Sequence, residues 1–325
     1  MSLYSRIVKT GTLSERKGVP DPLFALPSTV NWMHALAMIV QAKSINFKSA
    51  IAAYSAIQTR LASEHEQNTI FEQLLFAVHQ CSALNALKQV PSKADISRVG
   101  IITWYYGIYA AASAMVAAQD GSFQEDHAGT SRVWDTQIAG RGFALQPFHF
   151  RLVSLVKKTS DAELAKLYSG PKFDLAGKRP ITIADAESAC VAYLSGNANY
   201  WRWRSEQDVR DSKEFKSAGF SDFRKRDAQV LRDKRLAGRS IGFLHQAFRY
   251  RGKANYREAL FLGYGPTIET TLKDYPNDLA LVLEGFIAMA GAFCSRRLGP
   301  KLWTDFVSDV ESKRAFTMSA MGIWS

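Results

Sequence analysis

The stretch Val99–Gln119, VGIITWYYGIYAAASAMVAAQ, carries no charged residue. An apolar segment of that length either spans a bilayer or is enclosed by protein on every side. Its composition separates the two. Ala, Gly, Ser and Tyr dominate, while Leu, Val and Phe are scarce. Small residues let neighbouring helices approach closely, so the expectation is a central buried helix and no membrane contact.

Around this helix, apolar residues recur at helical spacing from Val30 onward. They predict helices at 30–42, 46–63, 67–88, 96–119, 146–157, 160–168, 184–216, 222–236, 241–262, 278–296 and 300–313. Start signals stand at Pro91-Ser92, at Ser160 and at Gly299-Pro300. Breaks rich in Gly or Pro are expected at 120–146, 169–183, 217–221 and 263–277. No Asn-Gly turn and no alternating apolar run is read, so the expected fold class is all-α, a helical bundle. Residues 1–30 read as an irregular arm, 31–90 as N-terminal helices, 91–265 as the core, and 278–325 as C-terminal helices packed on it.

The chain of 325 residues with 47% hydrophobic content is long enough for a large core. Cys81, Cys190 and Cys294 lie far apart among apolar neighbours, which predicts neither disulfides nor a metal knuckle and points to a reducing cytoplasm. The N-terminal MSLYSRIVKTGTLSERKG lacks the apolar region of a secretory signal. No two of the six histidines stand three to five residues apart, so no metal and no cofactor is expected. Gly238-Arg239-Ser240-Ile241-Gly242 fits a hydrolase elbow by pattern, but a charged helical segment precedes it where that motif needs a buried strand.

The net charge of +11 is concentrated. Between Ala198 and Arg257 there are sixteen Lys and Arg against seven Asp and Glu, which points to a polyanionic partner such as RNA. Within Trp201–Arg204, WRWR, the arginines are expected to pair at helical spacing: Arg202 with Glu206, Arg204 with Asp208, and also Arg210 with Glu214. The segment SIGFLHQAFRYRGKANYREALFLGYG differs. His245, Arg249, Lys253 and Arg257 follow at four-residue steps with no acid between them. Like charges at that spacing cost about 0.2–0.5 kcal/mol per pair, so an anion is expected against the stripe. Either Asp222, Asp227 and Asp233 supply it, or a nucleic-acid phosphate does. On the second alternative Arg249, Arg251, Lys253 and Arg257 hold the nucleic acid.

Arg239 and His245 sharpen the chemical expectation. With Ser240 as N-cap, Arg239 lies outside the helix and its guanidinium can fold toward the imidazole. A histidine of near-neutral pKa can deprotonate a ribose 2′-hydroxyl or protonate the leaving oxygen, and an arginine can stabilise the phosphorane. That chemistry needs no metal.

Tyr105-Tyr106-Gly107-Ile108-Tyr109-Ala110-Ala111-Ala112-Ser113-Ala114, with Gly121 and His127-Ala128-Gly129-Thr130 after it, resembles the HEPN domains of prokaryotes. The resemblance covers 98–135 and the helix at 239–262, where Arg239 and His245 match the Arg-x(4–6)-His motif of that family. Ser240 stands where active members usually carry Asn or a larger polar residue. The resemblance implies a HEPN-like core within 91–265. It also implies a homodimer with a composite site, metal-independent endoribonuclease activity leaving 2′,3′-cyclic phosphates, and a place in defence or toxin–antitoxin systems. Family members that have lost catalysis imply the alternative, a nucleic-acid-binding or partner-binding subunit.

Overall fold

The computed structural model describes residues 22–168, 170–255, 260, 262–265 and 267–325. The helices are α1 (Pro22–Ala42), α2 (Phe47–Ala53), α3 (Glu64–Leu87), α4 (Lys93–Asp120), α5 (His127–Gln137), α6 (Lys157–Leu167) and α7 (Ile183–Asp211). They continue with α8 (Lys213–Ser217), α9 (Arg226–Ala237), α10 (Phe243–Asn255), α11 (Ile268–Thr271), α12 (Tyr275–Leu298), α13 (Pro300–Lys313) and α14 (Ala320–Trp324). Among the described residues the only β pairing is one antiparallel bridge between Leu152 and Ile241. The fold is all-α.

The uncharged helix α4 is the axis of the bundle. Ser92 caps it by accepting from Asp95 N, and it ends at Gly121 in the left-handed region, φ 81°. It packs on α3, α12, α10 and α5, so a continuous run from Ala110 to Gln119 is buried. Gly107 shows why small residues are needed there: a Cβ at that position would stand 2.7 Å from Leu283 Cδ1 of α12. Two helical segments, Lys93–Asp120 and Ile268–Leu298, are long and apolar enough to cross a membrane. Their most apolar windows are 78% and 83% buried inside the fold.

One contiguous core runs from Val30 in α1 to Trp324 in α14. The terminal helices therefore belong to the same core as α4. Phe243, the first residue of α10, sits at the centre of an aromatic cluster, with ring centroids 4.9 Å from Phe148, 5.5 Å from Phe286 and 6.3 Å from both Trp32 and Trp104. A second, small core of Val209, Phe215 and Ala228, flanked by Phe220, Phe223 and Leu231, holds together a lobe made of the end of α7, α8 and α9.

Several boundaries differ from expectation. The N-terminal helix begins at Pro22, within the span read as an arm; residues 1–21 lie outside the described ones. The span 46–63 is helical only over Phe47–Ala53. α5 occupies a span read as a break; Asp126 caps it, taking the Gly129 N–H at 2.7 Å. Its buried face is Gly129, Thr130, Ser131, Trp134 and Asp135, too polar to show as an apolar stripe. The span 146–156 is irregular instead of helical. There Phe148, Phe150 and Leu152 are buried, and alternate with His149, Arg151 and the half-exposed Val153, a two-residue period that belongs to extended chain. Ser160 lies inside α6 and does not start it.

Candidate functional site

The extended segment and α10 meet through the bridge, where Leu152 N donates to Ile241 O at 2.8 Å and Ile241 N to Leu152 O at 2.9 Å. This pairing decides where α10 begins. Ile241 is held in the bridge, so the helix starts at Phe243 and Gly242, not Ser240, immediately precedes it. His245 then occupies the third helical position. Its Nδ1 accepts the Gly242 N–H at 3.2 Å, satisfying a backbone donor that the helix itself leaves open.

Extended geometry sends Arg151 away from the Phe150 and Leu152 side and onto Asp135. The guanidinium forks over the carboxylate, Nη2 to Oδ2 at 2.9 Å and Nε to Oδ1 at 3.2 Å, and the Asp135 side chain is 1% exposed. That ion pair raises the Arg151 pKa above its ordinary value. Gly242 lies against the Asp135 carboxylate so closely that any Cβ there would overlap it. Burial depresses the His245 pKa, and Arg151 and Arg239 depress it further against the opposing pull of Asp135. Sequence reasoning missed Asp135 and Arg151; the Phe148-His149-Phe150-Arg151-Leu152 alternation was the available signal.

Arg239 and His245 are thus brought into electrostatic range, and no hydrogen bond joins them among the described residues. Arg239 Nη2 lies 3.7 Å from Asp208 Oδ2, and burial together with the neighbouring Arg235 lowers its pKa. Asp208 also receives Arg204 at 3.9 Å, the expected pair. Arg202 takes other acceptors, Leu155 O at 3.0 Å and Ser160 Oγ at 2.6 Å, while Arg210 lies over the Phe223 ring at 5.1 Å.

Of the described members of the α10 stripe, Lys253 is buried and His245 and Arg249 are half-buried. Lys253 is 6% exposed and donates to Thr29 Oγ1 at 3.1 Å, with its ammonium 5.2 Å from the Tyr193 ring. Arg249 stacks 4.0 Å over Tyr200 and donates to Asn197 Oδ1 at 3.3 Å. At Arg249 a ring face and a neutral amide oxygen stand against the cation, the stacking contributing on the order of 0.5–2 kcal/mol. Asp222 and Asp233 pair with Arg224 and Arg232 on their own segment instead. Arg251, on another side of α10, sits 5.0 Å from both the Tyr105 and Phe248 rings. Arg257 lies outside the described residues.

The small lobe carries exposed positive charge. Lys213, Arg226, Lys234 and Arg235 are exposed and make no ion pair among the described residues. Phe223 is flanked by Arg210 at 5.1 Å and Arg232 at 5.6 Å, and Lys225 stands 5.9 Å from Phe220. Among the described residues, no three or more His, Cys, Asp and Glu come together as a metal site.

No protein-family model, curated protein or solved structure matches the chain.

His245, His127 and His149 all have pKa values below the ordinary 6.5, burial being the largest cause in each. The unfolded chain therefore takes up protons first. Stability is fully present above pH 6.5 and falls as pH drops through the depressed folded-state values. Thermal midpoints are expected to fall between about pH 7.5 and pH 5.5. His245→Gln keeps an acceptor for the Gly242 N–H and removes one titrating group, so its midpoint should fall less over that interval. An equal fall in wild type and variant would show that His245 does not contribute.

Proposed function

We propose that the protein is a HEPN-like, cytoplasmic subunit that binds single-stranded RNA through the α7–α9 lobe without cutting it. The observation that carries this is the set of exposed cations on the lobe, Lys213, Arg226, Lys234 and Arg235, which find no carboxylate among the described residues. Arginine-flanked Phe223 and the Lys225–Phe220 pair add rings that favour stacking next to phosphate-binding charge. The arrangement of His245 favours binding over chemistry. With Nδ1 accepting from Gly242, the neutral ring carries its proton on Nε2, and a general base needs a free lone pair.

Endoribonuclease action by Arg239 and His245 is the second reading. Its support is the convergence of Arg239, Arg151 and Asp135 on one imidazole. It requires His245 to release Gly242, which pairing of two chains into a composite site could drive. A defence or toxin–antitoxin role rests on the HEPN resemblance alone.

The test is binding and cleavage of labelled single-stranded RNA in EDTA. Wild type, His245→Ala, Arg239→Ala and a triple Arg226→Glu, Lys234→Glu, Arg235→Glu variant are compared. Binding without cleavage is expected for the first three. The triple variant should bind weakly, with the slope of log affinity against log salt reduced by about 2, near 0.7 per lost contact. Cleavage by wild type but by neither single variant would establish the ribonuclease reading. Absence of RNA binding in wild type at moderate salt would overturn both and direct the basic lobe to an acidic protein.

A further inference from the structure

A second cationic centre lies away from the lobe and from His245. Arg251 of α10, His127 at the start of α5, and Tyr105, Tyr106 and Tyr109 of α4 converge with Phe248. The Arg251 guanidinium stands 5.0 Å from the Tyr105 and Phe248 rings and 6.0 Å from Tyr106. Its hydrogen bonds are long and to neutral atoms, Tyr106 Oη at 3.4 Å and His127 Nε2 at 3.5 Å. The imidazole packs 4.3 Å from the Tyr109 ring. No carboxylate pairs with Arg251 among the described residues, and both Arg251 Nε and His127 Nδ1 are buried without a partner.

Among the described residues donors therefore exceed acceptors here, and a half-buried cation has no carboxylate against it. Burial, then Arg251, holds the His127 pKa below 6.5 against the opposing pull of Asp126. Asp126 itself is turned to the Gly129 N–H at 2.7 Å. Beside the pair, Tyr106 is 39% exposed, its ring centroid 5.7 Å from His127. The residues thus present two nitrogen-bearing groups suited to a phosphate beside a partly exposed aromatic side chain suited to a base.

We propose that Arg251, His127 and Tyr106 form a mononucleotide subsite, with phosphate held by Arg251 and His127 and the base stacked on Tyr106. The source of the nucleotide, a unit of single-stranded RNA, rests on the RNA-binding reading; the site itself does not. An arriving phosphate supplies the missing counterion and favours the imidazolium. His127, facing Arg251, Asp126, Tyr105, Tyr106 and Tyr109, then gains a proton on binding, and affinity rises as pH falls toward 6.

The probe is AMP, titrated into the full chain by calorimetry, with a short single-stranded RNA measured in parallel. AMP should bind with affinity that increases from about pH 8 to pH 6, and its addition should raise the His127 pKa read by NMR. Arg251→Gln and the surface variant Tyr106→Ala should each weaken AMP at least tenfold, with unchanged helical circular dichroism. AMP binding that is lost in these variants while RNA binding is absent would keep the subsite and remove the RNA reading. RNA binding with no AMP binding, and unaffected by either variant, would overturn the subsite and leave the RNA reading standing. AMP binding of equal affinity in wild type and both variants would also overturn it.

Discussion

Asp135→Ala is expected to lower the unfolding free energy by about 2–4 kcal/mol, because it leaves the half-buried Arg151 guanidinium without its carboxylate. The carboxylate is 1% exposed and takes both arms of the guanidinium fork. Desolvating the two charges has already been offset by their geometry, so removing one partner exposes the full cost of the other. Urea unfolding followed by circular dichroism measures the loss. A loss below about 1 kcal/mol would mean that solvent compensates Arg151, whose side chain is 22% exposed. A second readout separates local from global effects. Asp135 pulls the His245 pKa upward against burial, so the variant, where still folded, should titrate His245 at lower pH than wild type. Replacing both partners by apolar residues, Asp135→Leu with Arg151→Met, should recover much of the stability, since buried pairs are often replaceable as a unit.

Phe243→Ala is expected to cost a similar amount, about 3–5 kcal/mol, through lost burial and the cavity left behind. The ring meets Phe148, Phe286, Trp32 and Trp104, which belong to four different parts of the chain. It is also the first residue of α10, directly after Gly242. The denaturation midpoint reports the stability, and tryptophan emission reports the loosening around Trp32 and Trp104. Phe243→Leu, which refills part of the volume, should lose distinctly less. Equal losses for alanine and leucine would show that ring geometry, and not cavity volume, sets the cost.

Both predictions turn on parts of the molecule that were unequally readable. The uncharged run in α4 announced itself, because a helix buried on all sides needs small apolar residues at every position, and that is a property of composition. Ser92 and Pro300 likewise marked helix starts through interactions with the next few residues. α5 was hidden because its inward face is Thr130, Ser131 and Asp135, polar side chains whose burial is made possible by partners elsewhere, Arg151 among them. The 148–152 segment carried a legible alternation, outvoted by the helical periodicity on both sides.

The site divides along the same line. Sequence alone determined an all-α chain, a central uncharged helix and a strong local excess of positive charge, since each depends on residue type and short-range spacing. It also placed Arg239 near the start of the His245 helix. Only the tertiary structure decided which way each cation points. Four-residue spacing shows that His245, Arg249 and Lys253 share a face of α10, but whether that face meets solvent depends on Tyr200, Tyr193 and Thr29, contributed by α7 and α1. The bridge between Leu152 and Ile241, residues far apart in sequence, moved the residue preceding the helix from Ser240 to Gly242 and gave His245 a backbone donor to satisfy. Local periodicity specifies elements; the burial of a charge is settled by distant groups, because its energy depends on everything that surrounds it.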